Sequence, residues 1–186
     1  QLDRIVLVAV LTAAEFGRYY LATVVALSFL GLQMPLARTF LPYIAAGTSP
    51  AAALRAMLAV GLVTIVVPAW LIALLSTWFL QVWLHDAALA MALADVLPWM
   101  LIGVSLIAVY SPVSSYLLGQ ARYAEMFVAS SCALAAQTLV LVGLLWSGQG
   151  IIAGGISWFA GGAVYLLFVL HLLARDRPLR AALRGR

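Results

Sequence analysis

Residues 1–42 read QLDRIVLVAVLTAAEFGRYYLATVVALSFLGLQMPLARTFLP. Two apolar stretches are interrupted by Asp3, Arg4, Glu15, Arg18, Gln33 and Arg38. Charge is costly in hydrocarbon, so ions kept inside or beside an apolar span face protein or water, where they meet a polar ligand. The segment reads as membrane-spanning helix with a polar task, and transport is the first expectation.

The rest of the chain supports that solvent. Of 186 residues 66% are hydrophobic and 9% charged, with no Lys, and the mean hydropathy is +1.13. A soluble domain and a disordered tail are both excluded by such a composition. The expected fold is all-α, a polytopic integral membrane helix bundle. Lone Cys132 lies in an apolar run, reads as a buried small hydrophobe and cannot form a disulfide within the chain. The net charge of +4 does not suggest nucleic acid: five of the ten Arg fall in the last stretch, RDRPLRAALRGR, with no aromatic residues between them. A basic tail beside a membrane is the reading for residues 175–186.

A spanning helix needs about 20 largely apolar residues. Breaks at polar and Gly/Pro clusters leave five complete spans, near 19–40, 54–79, 96–118, 127–146 and 151–173. The apolar run within residues 1–14 is shorter: ten residues of helix cover only about 15 Å. Because the chain opens on Gln1 rather than Met and no signal-peptide pattern precedes this run, we expect it to be the end of a sixth span that begins upstream. Residues 1–174 then form one helical bundle.

Orientation follows from Arg. The breaks at 45–55 and 119–125 carry Arg55 and Arg122, the tail carries five Arg, and the alternate breaks hold Asp86 and Asp95 with Arg18 as the exception. The positive-inside rule makes the C-terminus cytoplasmic. Trp78, Trp83 and Trp146 then fall near the outer interface, where indoles anchor.

Depth separates the polar residues. Counting back from Ala14, Asp3 and Arg4 lie about 15 Å from the outer boundary, near the midplane. Adjacent helix positions diverge, so they cannot simply neutralise each other; at least one needs an interhelical partner or a water-filled cavity. Gln33 lies about 22 Å and Arg38 about 30 Å beyond Arg18, which leaves Arg38 near the inner interface, where it can reach headgroups. Pro35, Pro42, Pro68 and Pro112 are expected helix kinks. Tyr110, Ser111, Pro112, Ser114 and Ser115 form a hydroxyl-rich kink suited to a cavity wall or to helix packing. Gly150 with Gly154, and Ser157 with Gly161, share helical faces and mark the last span as a packing helix. His85 and His171 have no companions at metal-ligand spacing, and no phosphate loop, nucleophile elbow or HExxH motif occurs. No cofactor or metal is expected.

These residues also carry a resemblance. Asp3-Arg4, an apolar run, Glu15 before Gly17-Arg18-Tyr19, Ala22, Pro35 and Pro42 resemble the start of the second half of Wzx-type oligosaccharide flippases, in the multidrug/oligosaccharidyl-lipid/polysaccharide exporter superfamily. VWLHD, YSPVSSYLLGQARYAE and GQGIIAGGISWFAGGAVYLL look similar to later stretches, so the resemblance covers nearly the whole chain. It implies five helices and the end of a sixth from a twelve-helix bundle of the bacterial inner membrane, with the N-terminal half of the same protein as partner. It also implies an alternating-access carrier, with no enzymatic activity, of oligosaccharide repeat units on undecaprenyl diphosphate. Membrane lipids, a polysaccharide polymerase and glycosyltransferases are further implied partners. Asp3, Arg4, Gln33, Arg38 and Tyr110 are the substrate-cavity candidates: Arg4 and Arg38 would meet the diphosphate, and Asp3 would orient Arg4 or respond to a coupling ion.

Alternatives stay open. A peptidoglycan-precursor flippase fits the segment from Pro35 to Pro42 equally well. A cation-coupled drug exporter should favour carboxylates and aromatics in its cavity, whereas the complete spans carry Arg38 and no Asp or Glu well inside them. A membrane-embedded transferase would need a His or paired carboxylates on a shared cavity, and a non-transporting partner subunit needs none of these.

Overall fold

The structure is a computed structural model that describes residues 2–47 and 50–176. The described residues are helical with no strand, and five helical stretches are long and apolar enough to cross a membrane: Ala13–Ala45, Pro50–Leu74, Leu97–Gly119, Tyr123–Trp146 and Ile152–Arg175. These lengths and this composition describe a multi-pass membrane protein. The expected basic tail from residue 177 onward lies outside the described residues.

The charged break expected at 14–18 is instead helix. Helix α1 (Leu2–Val10) stops at Leu11, and α2 (Ala13–Gly31) starts at once behind an N-cap at Thr12. The Thr12 Oγ1 accepts from the Glu15 backbone N–H at 3.3 Å while Glu15 Oε2 accepts from the Thr12 backbone N–H at 3.0 Å. This reciprocal capping box satisfies donors that a helix start leaves orphaned, so Glu15 is a helix starter and Arg18 lies one turn further inside the same helix. Moving the end of α1 from Ala14 to Val10 leaves Asp3 about 10 Å inside that end, shallower than the midplane expected for it.

Helix α3 (Gln33–Ala45) continues α2 after a single non-helical residue, Leu32. Pro35 explains the position of the break, because its missing N–H cannot serve the carbonyl of Gly31 one turn earlier. Pro42 lies inside α3 without ending it. The second span is α4 (Pro50–Gly61), a π-helical turn at Leu62–Val66, and α5 (Val67–Leu74). Here Pro68 lies in the first turn of α5, two residues past the end of the π turn, where a missing N–H is tolerated. The span expected to run to 79 ends at Leu74, and two short helices, α6 (Ser76–Leu84) and α7 (Ala87–Ala94), take in its last residues and the break expected after it, joined by left-handed His85 at φ 54° and by Asp86, which caps α7. Helices α8 (Leu97–Gly119), α9 (Tyr123–Trp146) and α10 (Ile152–Arg175) complete the bundle, and α8 runs unbroken through Pro112.

Helix α8 is the axial element. Met100, Leu101 and Val104 are fully buried, against a cluster that includes Leu7, Tyr19, Ala26, Ala69 and Leu93. A second cluster, of Leu54, Val113, Leu117, Ala129, Tyr165 and Val169, fills the other end. Close approach depends on glycine in α8 and α10: a Cβ on Gly103 would lie 3.0 Å from the Trp158 backbone, and one on Gly155 would lie 2.8 Å from the Val96 carbonyl. The small-residue face of α10 was therefore legible: Gly154, Ser157 and Gly161 are buried on it as expected, and only Gly150 falls outside. Gly150 belongs to the preceding turn, at φ 55° with open space around it, and the packing glycines are Gly154, Gly155, Gly161 and Gly162.

The helix ends fall into two groups. Gly119 at the end of α8 lies against Ile44 at the end of α3, and Arg122 at the start of α9 pairs with Asp176 after the end of α10. Alternating direction along the chain places the end of α1 at the opposite face. Trp146 is 89% exposed, with Trp78 and Trp83 also on the surface. Cys132 is exposed, not buried, on a face of α9 that does not line the cavity described below.

Candidate functional site

A cavity of about 390 Å³ lies between α1, α2, α8, α9 and α10. Its lining runs through Asp3 and Arg4 of α1, Leu27 and Leu30 of α2, Ile107 and Tyr110 of α8, Ser130, Ala133, Leu134 and Gln137 of α9, and Trp158, Gly161, Gly162 and Tyr165 of α10. Leu27, Ser130 and Leu134 are exposed, so the cavity opens to the surface. Its size lies in the range of about 300–1,000 Å³ usual for small-molecule sites.

Each side chain is placed by its helix. Asp3 is 4% exposed; its Oδ2 accepts hydrogen bonds from the Tyr19 hydroxyl and, at 3.0 Å, from the Trp158 indole N–H. These donors come from α2 and α10, so one carboxyl group ties three helices together. A buried carboxyl group is tolerable only with such partners. Arg4 points elsewhere, as an adjacent helical position must, and its guanidinium lies 5.3 Å from the centre of the Tyr20 ring. A cation over an aromatic face gains a modest attraction and keeps all its donors for another partner. Among the described residues Arg4 makes no hydrogen bond or ion pair.

The opposite wall is aromatic and uncharged. The rings of Tyr110 and Tyr165 stack at 3.9 Å and 17°, and the Ser114 hydroxyl lies 3.0 Å from the Tyr165 hydroxyl. Gln137 and Ser130 stand seven residues apart, on one face of α9. Gly161 is the residue that admits Gln137, since a Cβ there would lie 3.3 Å from the Gln137 Cβ and 3.4 Å from its Oε1.

Of the residues singled out in the sequence, the structure brings Asp3, Arg4 and Tyr110 to one cavity. It does not bring Gln33 and Arg38 there: Arg38 is exposed on α3, and the Gln33 Nε2 is buried beside the α2–α3 break without a hydrogen-bond partner among the described residues. Trp158, Tyr165, Gln137 and Ser130 were not anticipated. For Trp158 and Tyr165 the only signal was a polar-tipped aromatic inside an apolar helix, which needs a hydrogen-bond partner when buried. Helix α10, expected to serve packing alone, supplies both.

At the far end, outside the spans, Arg122 donates to Glu125 from Nε at 3.1 Å and Nη2 at 2.8 Å, and to Asp176 from Nη1. These bonds, that to Glu125 foremost, hold the guanidinium pKa above its ordinary value. No group of three or more His, Cys, Asp or Glu among the described residues could hold a metal ion. Comparison of the chain with family models, curated proteins and solved structures gives no match.

Proposed function

We propose that the chain is part of a transporter that moves a lipid-linked oligosaccharide across the bacterial inner membrane by alternating access, with its C-terminus cytoplasmic. The observation that carries this reading is Arg4: a guanidinium within a membrane-spanning bundle, facing a surface-open cavity and lacking an acidic partner among the described residues. Retaining such a charge in low dielectric demands a compensating anion, and a planar guanidinium suits the oxygens of a diphosphate. The apolar rim at Leu27, Leu30 and Leu134 suits the first isoprene units of the carrier. Resemblance of the segment from Asp3 to Pro42 to polysaccharide flippases supports the same cargo.

One observation favours a drug exporter of similar architecture: the cavity holds a carboxyl group, Asp3, among three aromatic residues. Arg4 argues the other way, because a cation a few ångströms from the ligand position repels a cationic drug. The test is Arg4→Gln in the source cell, with membrane levels checked by immunoblot. Loss of surface glycan together with build-up of its lipid-linked precursor is expected; unchanged export at normal protein level refutes the reading. Altered drug susceptibility with normal glycan would favour the exporter.

A further inference from the structure

We infer that Tyr110, Ser130 and Gln137, the uncharged polar residues of the cavity, form a subsite for a neutral sugar ring, with Arg4 of the same cavity left to the phosphate. This inference rests on the transport reading above and deepens it. The Tyr110 hydroxyl, the Ser130 hydroxyl and the Gln137 amide line the cavity, and none makes a side-chain hydrogen bond with a described residue. Buried polar groups in proteins are nearly always paired; Ser130 is exposed, and neither Tyr110 nor Gln137 is a sealed orphan atom, so the three stay open to whatever enters. Together they offer amide donors, a carbonyl acceptor and two hydroxyls, which is the complement of a hydroxyl- or acetamido-bearing ring rather than of an ion.

The groups are also held in place. Stacking on Tyr165 fixes the Tyr110 ring, and Ser114, on the next turn of α8, engages the Tyr165 hydroxyl. Gln137 is pressed against Gly161. Preorganised donors lose less entropy on binding. Trp158, whose indole N–H is already occupied by Asp3, also stands among the lining residues.

The experiment is equilibrium binding to the whole transporter that contains this chain, in lipid nanodiscs, with two probes: polyprenyl diphosphate alone and polyprenyl diphosphate bearing one N-acetylhexosamine. The glycosylated probe is expected to bind at least about tenfold more tightly, as two or three hydrogen bonds to neutral groups should give. Tyr110→Phe, Ser130→Ala and Gln137→Leu are each expected to lower that preference about three- to fivefold while leaving bare diphosphate affinity unchanged. Because Tyr110→Phe keeps the ring stack and Ser130→Ala lies on an exposed helical face, retained diphosphate binding in these variants doubles as the folding control. Equal binding of both probes to the unaltered transporter, or a preference that survives all three substitutions, overturns the sugar subsite and leaves the transport reading standing. Failure of both probes to bind overturns the two together.

Discussion

Gly154→Ala tests whether the Asp3 carboxyl group is held by packing as the structure describes. A Cβ at Gly154 would lie 2.9 Å from Tyr19 Cδ2, closer still to Cε2, and 3.0 Å from Leu7 Cδ1, whereas ordinary contact begins at 3.4 Å. Tyr19 and Leu7 are both fully buried, so neither has free space to enter. The ring must shift, and its hydroxyl leaves Asp3. Overpacking of a tight core costs about 1–3 kcal/mol, and an interhelical hydrogen bond in a membrane protein is worth about 0.6–1.7 kcal/mol. The expected destabilisation is therefore about 2–4 kcal/mol, read from reversible denaturation of the detergent-solubilised chain. Gly143→Ala is the matched control, since open space surrounds that position; it should be neutral or stabilise by up to about 1 kcal/mol. A double-mutant cycle with Tyr19→Leu isolates the coupling. If Gly154→Ala falls within about 0.5 kcal/mol of the control, or the cycle shows no coupling between the two positions, the described packing of α10 on α2 is wrong.

Three other outcomes follow from particular residues. Cys132, exposed on α9 and absent from the cavity lining, should react in intact bilayers with an apolar maleimide and resist a charged one; rapid labelling by both would place it in water. Trp146, at 89% exposure, should be quenched more by shallow than by deep spin-labelled lipids in a chain whose other five tryptophans are replaced by Phe. Arg122→Gln removes the bonds to Glu125 and Asp176; with these side chains partly exposed the global cost should stay near about 0.2–1 kcal/mol. Amide exchange at the first turn of α9 should nevertheless speed up, and unchanged exchange there would deny the ion cluster a structural role.

The spans were legible because bilayer thickness dictates an apolar length, and the limits of the last three changed by only a few residues. The start of α2 was misplaced because Glu15 and Arg18 were read by charge as loop, when Thr12 three residues before Glu15 is a capping pattern. The π turn before Pro68 leaves no local trace in a run of Leu, Val, Thr and Ile. For the cavity, counting along a helix gave an approximate height, too deep for Asp3 because α1 ends at Val10, and no azimuth. That sufficed for Asp3 and Arg4, whose charges require an inward or paired position. It failed for Gln33 and Arg38, which lie on α3 beyond the break at Leu32 and are not among the residues that line the cavity. Gln137 and Trp158 were invisible for a different reason: an amide or indole in an apolar helix is ordinary until a second helix approaches, and that approach is set by glycines 103, 155 and 161.

The ion cluster at Arg122 also bears on how the cavity can change shape. Helices α9 and α10 are joined at one end by the turn at 147–151 and at the other by Arg122 reaching Asp176, so the hairpin is fastened at both ends and packed along its length. Such a pair moves as one plank. Trp158 and Tyr165 belong to that plank, and because Asp3 accepts from the Trp158 indole, the nine-residue α1 is tied to the same unit. Arg4, the next residue along α1, is thereby carried beside the hairpin by a single buried carboxyl group.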